Sequence, residues 1–136
     1  MTGLIDIHAH FFHDRSGRAD WRERNRSRLD AGRRMGIRWH VASILGSWGQ
    51  TSPTYFPSPA DLTEANAALR ALAAEPAAPI RGYVAVNPNH TAHALAEMEA
   101  GVAAGMIGLK LAASRRADDP LLDPLCEAAR RLRLPV

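Results

Sequence analysis

Along its 136 residues the chain alternates strand-patterned and helix-patterned segments four times, with turn residues between them and no hairpin signal joining two strands. Strands never joined by hairpins pair parallel and cross over through helices, which restricts the fold to successive βαβ units. The first strand is Leu4-Ile5-Asp6-Ile7-His8-Ala9-His10, and the helical segment after it ends near Met35 with Gly36 as its stop. Arg38 to Leu45 reads as the second strand. A Gly-, Ser- and Pro-rich loop from Gly46 to Pro59 then has the length of a lid. Ser58, Pro59 and Asp61 combine a capping hydroxyl, a first-turn proline and a first-turn acid, and Leu62, Ala65, Leu69 and Leu72 follow at helical spacing. Arg81 to Val86 is the third strand, closed by Asn87-Pro88-Asn89. The next helix buries Leu95, Met98 and Val102 and has Gly101 and Gly105 at its end. Met106 to Leu111 forms the fourth strand, with Gly108 and Lys110 on one face and Leu109 and Leu111 on the other. Asp119-Pro120 opens a last helix whose inward set is Leu122, Leu125, Cys126, Ala129 and Leu132, with Arg130, Arg131 and Arg133 at its negative end. Leu134-Pro135-Val136 reads as the entry to a fifth strand.

Two α/β architectures accommodate this order. A doubly wound open sheet fits the length, yet the first strand-to-helix turn lacks a glycine-rich nucleotide loop. A (β/α)8 TIM-type barrel places functional residues at the C-terminal ends of its strands, where His8, His10, Lys110 and the Asn87-Pro88-Asn89 turn all fall. Such barrels take about 250 residues and eight strands to close. The expectation is therefore the N-terminal half of a barrel: one incomplete domain over residues 1–136, with strands 1 to 4 and the start of strand 5.

His8 and His10 are the residues with the clearest chemistry. A strand sends alternate side chains to one face, so Asp6, His8 and His10 are expected together and Ile5 and Ile7 opposite. Two imidazoles held this way can grip a divalent cation such as zinc, and Asp6 on the same face can orient an imidazole through a hydrogen bond. The alternative is an ordinary strand end with two exposed polar residues.

Composition narrows the partners. The formal net charge of +3 comes almost wholly from arginine, with Arg15, Arg18, Arg22, Arg24, Arg26, Arg28, Arg33 and Arg34 dense in one segment. Asp14, Asp20, Glu23 and Asp30 interrupt that stripe, and no phosphate cradle or RNA-binding aromatic pattern accompanies it, so it reads as a solvated helix face rather than a nucleic-acid surface. Lys110 is the only lysine, a choice that solvent-facing charge does not explain. No apolar run spans a bilayer and the N-terminus lacks a signal-peptide pattern, so a cytoplasmic location and no membrane partner are expected. The single cysteine, Cys126, reads as a core residue.

Ile5-Asp6-Ile7-His8-Ala9-His10, the Arg34-Met35-Gly36-Ile37 helix end, the segment from Arg81 to Asn89 and Gly108-Leu109-Lys110-Leu111 resemble successive landmarks of the metal-dependent amidohydrolase superfamily. The nearest branch is the amidohydrolase-related proteins that include aminocarboxymuconate semialdehyde decarboxylase and the resorcylate decarboxylases. The resemblance implies a distorted barrel with a divalent metal at its mouth, zinc first and manganese as the alternative, held at the first strand by His8 and His10. Lys110 lies where some members carry a carboxylated lysine between two metals; pairing with an interior carboxylate is the competing reading. The family's next histidine ligand belongs to the fifth strand and its aspartate base to the eighth, so that base is expected beyond Val136. The implied reaction is hydrolysis of an amide, ester-like or carboxylated small molecule by a metal-activated water, with decarboxylation as the alternative.

His13 and Trp48 are candidates for substrate contact, Trp48 together with Tyr55 and Phe56 as an apolar wall in the long loop. Arg81 or a loop arginine can hold a substrate carboxylate. His90 and His93 read as exposed helix-start residues and His40 as structural. A small-molecule substrate is the expected partner. A non-catalytic chain associating through open sheet edges, as in a homo-oligomer, is the reading from another class.

Overall fold

A computed structural model describes residues 3–46, 57–111 and 115–136. Its elements run β1 (Leu4–His10), α1 (Trp21–Arg34), β2 (Ile37–Ser43), α2 (Pro59–Ala74), β3 (Ile80–Val86), α3 (Thr91–Ala103), β4 (Gly108–Leu111) and α4 (Asp123–Leu132), with short 3₁₀ turns at Pro88–His90 and Pro120–Leu122. The strands lie in chain order, β1-β2-β3-β4, and each neighbouring pair is parallel. Every crossover thus steps the same way, and because such crossovers are right-handed the helices collect on one face of the sheet. A doubly wound sheet reverses its strand order at a switch point, so that alternative is removed. The other face is concave: Lys110 on β4 reaches His8 on β1, three strands away, at 3.1 Å. The fold is half of a (β/α)8 barrel.

Local sequence explains the elements. Ser58 starts α2 with a reciprocal cap, its hydroxyl accepting the Asp61 N–H at 3.2 Å while the Asp61 carboxylate accepts the Ser58 N–H at 3.0 Å. Gly36 follows α1 at φ +74° and Gly105 follows α3 at φ +84°, left-handed conformations that stop each helix. Gly101, expected at the end of α3, lies inside it. A Cβ there would stand 2.3 Å from Val84 Cγ2, so the missing side chain lets α3 approach β3.

The core fills the space between sheet and helices. Ile80, Val84, Val86 and Leu109 of the strands meet Ala65 and Leu69 of α2, Ala94 and Met98 of α3, and Leu125, Ala128 and Ala129 of α4. Burying each of the larger side chains contributes roughly 1.5–3 kcal/mol. Cys126 is exposed, which corrects the core assignment: α4 turns the stripe Leu122, Leu125, Ala128 and Ala129 inward, and Cys126 falls outside it. Leu134-Pro135-Val136 does begin to run beside β4, where Pro135 accepts the Leu109 N–H at 2.8 Å. Among the described residues no helix is long and apolar enough to cross a membrane.

Two side-chain clamps fix the connections. Asn25 of α1 exchanges two hydrogen bonds with the Phe12 backbone, at 3.0 and 2.9 Å, and pins the loop that leaves β1. Asn66 of α2 does the same for Ala85, at 2.9 and 3.0 Å, beyond Ala42↔Gly82 where the β2–β3 register ends. Asn66 thereby replaces a neighbouring strand at the C-terminal end of β3.

Candidate metal centre

The register of β1 against β2 decides where the histidines point. Between Asp6↔His40 and Ala9↔Ala42 the chain advances three residues on β1 but two on β2. One extra residue in a strand flips every later side chain to the other face. Asp6 therefore shares a face with His40, and His10 shares one with Ser43. This corrects the expectation that Asp6 accompanies His8 and His10. The carboxylate does orient an imidazole, that of His40, whose Nδ1–H it accepts at 3.1 Å. Ile5 and Ile7, expected on the face opposite the histidines, are 57% and 68% exposed on the edge strand, and Ile7 borders the same cavity as His8.

On the concave face His8 Nε2 and His10 Nε2 are 3.0 Å apart, and Lys110 Nζ stands 3.1 Å from His8 Nε2. The Ser43 hydroxyl lies 3.3 Å from His10 Nδ1. A cavity of about 220 Å³ opens beside them, lined by His8, Ser43, Tyr83, Lys110, Pro135 and Val136. Burial, then the neighbouring His8 ring and the Lys110 ammonium, hold the His10 imidazole below its usual pKa. Protonation of the ring is thereby disfavoured, which favours a free nitrogen lone pair.

The donor chemistry fits a cation. Two ring nitrogens this close cannot both carry hydrogens toward one another, so at least one lone pair faces the gap. Zinc holds imidazole nitrogens at ~2.0–2.1 Å, and at the tetrahedral angle that sets two of them roughly 3.4 Å apart, a few tenths from the spacing here. With Nε2 given to a metal, His10 Nδ1–H would donate to Ser43, the kind of partner that fixes a ligand's tautomer. Among the described residues no cluster of three His, Cys, Asp or Glu side chains surrounds the point. His8 and His10 supply two donors, and Lys110 in its charged form supplies none. No carboxylate pairs with Lys110 among the described residues; its side-chain partner there is His8.

The other candidates stand apart. His13 is 4% exposed, its ring 3.4 Å from the Asp14 carboxylate, and no hydrogen bond joins it to His8 or His10. Trp48, Tyr55 and Phe56 lie outside the described residues. Arg81 is the second residue of β3, stacked on Trp39 with Cζ 3.7 Å from the ring centroid, at the opposite end of the strands from the histidines. His40 is buried, with its ring bonded to Asp6 rather than to either histidine of the pair. His90 is exposed, whereas His93 is drawn into a network, its Nε2 2.9 Å from the Thr63 hydroxyl. Ser43 and Tyr83 are site residues that strand alternation alone did not single out; pairing His10 with the end of β2 would have found Ser43.

No family model matches the chain, and no curated protein matches it by sequence at a significant level. Solved structures do match by shape. A proposed amidohydrolase from Staphylococcus aureus aligns with a TM-score of 0.75 at 19% identity, over 96% of this chain and 45% of its own. A 2,6-dihydroxybenzoate decarboxylase from Rhizobium aligns at 0.72 and 17%, over 99% and 49%. A 2,6-dihydroxybenzoate decarboxylase complexed with 2,6-dihydroxybenzoate aligns at 0.71 and 17%, over the same shares. The chain spans about half the length of these structures, and its fold is that of half of each.

Proposed function

We propose that this chain carries the first-strand ligands of a metal-dependent enzyme of the amidohydrolase superfamily, with His8 and His10 holding a divalent ion, zinc before manganese, at the barrel mouth. One observation carries the reading: two imidazole nitrogens on the concave face, 3.0 Å apart at the C-terminal end of β1. A bound metal of this kind polarises a carbonyl or carboxylate and activates water. His10 keeps its lone pair through burial and its neighbours, Ser43 fixes its ring, and Lys110 places a positive charge beside the cavity, which suits a carboxylated or carbonyl-bearing small molecule. Hydrolysis is the first reading. Decarboxylation is the second, supported by the two matching structures of 2,6-dihydroxybenzoate decarboxylase. The aspartate base and the further metal ligand are assigned to strands after the fourth.

Zinc titration against a chromogenic chelator tests this. The chain is expected to take up zinc weakly, as suits two donors, and His8→Ala or His10→Ala each to lower the affinity by about tenfold or more. Equal zinc uptake by the chain and by the double variant would overturn the reading. Lys110→Met should not weaken zinc uptake and should strengthen it, since a charged ammonium donates no lone pair and its charge repels the cation.

A further inference from the structure

The Asp6 carboxylate joins β1 to β2. One oxygen accepts the His8 backbone N–H at 3.1 Å and the other accepts from His40 Nδ1 at 3.1 Å. His8 lies in the stretch, Ile7 and His8, that has no register partner on β2 because β1 carries its extra residue there. An extra residue leaves backbone groups outside the ladder, and Asp6 supplies an acceptor for one of them. His40 in turn is held on two sides. It is 1% exposed, with the Phe11 ring edge-on at 6.1 Å between centroids. On the α1 side there is room for it only because residue 32 is glycine: a Cβ there would stand 2.4 Å from His40 Nε2. An ionised carboxylate only accepts, so His40 Nδ1 carries the proton of the shared bond.

We propose that His40 is a positioning residue for the His8 and His10 pair: wedged against Gly32, it holds Asp6 beneath the His8 N–H, keeps the extra residue of β1 at Ile7–His8, and so turns both rings onto the concave face. The chain of contacts runs through the sheet, from α1 to β2 to β1, and reaches the pair from the side opposite the cavity. His40 touches neither imidazole. The role builds on the proposed metal pair, but its own observable is the His8 amide, which needs no metal.

Amide hydrogen exchange on the full ¹⁵N-labelled chain tests it, with zinc affinity measured in parallel. His40→Asn keeps an N–H near the position of Nδ1, whereas His40→Leu fills the space without a donor. The His8 amide should exchange about tenfold faster in His40→Leu and within about threefold of the parent in His40→Asn, while Val84 and Leu109 on distant strands change little. Zinc affinity should fall about tenfold in His40→Leu and recover in His40→Asn. Unchanged protection of the His8 amide in His40→Leu, or equal loss in both variants, overturns the proposal. Should His40→Leu fail to fold, Gly32→Ala displaces the ring with its donor intact, and the same loss at His8 is expected; no loss there overturns it too. If the parent chain takes up no zinc while its His8 amide still responds to His40→Leu, the metal reading falls and the positioning role stands.

Discussion

Asp20 and Asp6 show how one residue type is set to different tasks by its surroundings. Asp6 feels burial, which pushes its carboxyl up, but the His40 hydrogen bond and the His8 N–H outweigh it and hold the group below the ordinary carboxylate value. Asp20 lies in the open at the start of α1, where it accepts from Arg24 Nε at 2.7 Å and from Arg18 Nε at 3.2 Å, and these bonds hold it low as well. The acid thus takes a position favoured by the helix dipole and by the i,i+4 order of acid before base, and it neutralises part of the arginine stripe. A carboxyl whose folded pKa lies below its unfolded value, near 3.8 for aspartate, adds stability above that unfolded value and loses it as pH falls through the folded one. Asp20→Asn should therefore lower the melting temperature slightly at pH 7, and the gap between variant and parent should close as the pH drops below about 4. Scanning calorimetry across that range checks it. A gap that widens on acidification would assign the wrong sign to the Asp20 pairs.

At the scale of elements, α2 and β1 separate what residue order reveals from what only pairing reveals. The inward stripe of α2, Leu62, Ala65 and Leu69, follows from helical spacing, and the Ser58 cap follows from residue types in sequence. Asn66 sits on that same apolar face, four residues after Leu62, and a polar group there carries a signal that spacing alone does not explain. Its amide serves both backbone groups of Ala85 and donates to Glu97 at 2.8 Å, while Thr63 donates to the other Glu97 oxygen at 2.7 Å. Asn66→Ala leaves the Ala85 N–H and C=O without partners at a buried position and should cost about 2–4 kcal/mol, read as a lower urea midpoint with an unchanged slope. A loss under about 0.5 kcal/mol would mean that water replaces the amide. The four strands, their parallel pairing and the clustering of His8, His10 and Lys110 at one end were all available from patterning. The extra residue in β1 was not, because register depends on how β1 and β2 pair rather than on either strand's own alternation. That one residue is why Asp6 went to His40. Cys126 left the core for a related reason: the inward stripe of α4 is narrower than its apolar pattern, and Ala128 fills the place beside Leu125 and Ala129.

For the molecule as a whole, the curvature that brings Lys110 to His8 also leaves β1 as an open edge among the described residues. Closing a barrel from such strands takes eight of them, with tilt and stagger fixed by that number. Here four strands in chain order end at β1 on one side, and Leu4, Ile5 and Ile7 are 59%, 57% and 68% exposed along that edge. Unpaired backbone groups beside exposed apolar side chains form a template for another strand. The arginines do little to protect it, since they concentrate on α1, and the net charge is only +3. The 136-residue chain expressed on its own is therefore expected to self-associate, with a sedimentation coefficient that rises with concentration. Ile5→Lys with Ile7→Lys places charge on the edge, the device by which natural sheets block such pairing, and should return the chain to a monomer. Ile5 and Ile7 are not part of the buried core, so the melting temperature should change by no more than about 2 °C, the shift for roughly 0.5 kcal/mol at a surface position. A parent chain that stays monomeric at every concentration would show that the β1 edge is already blocked.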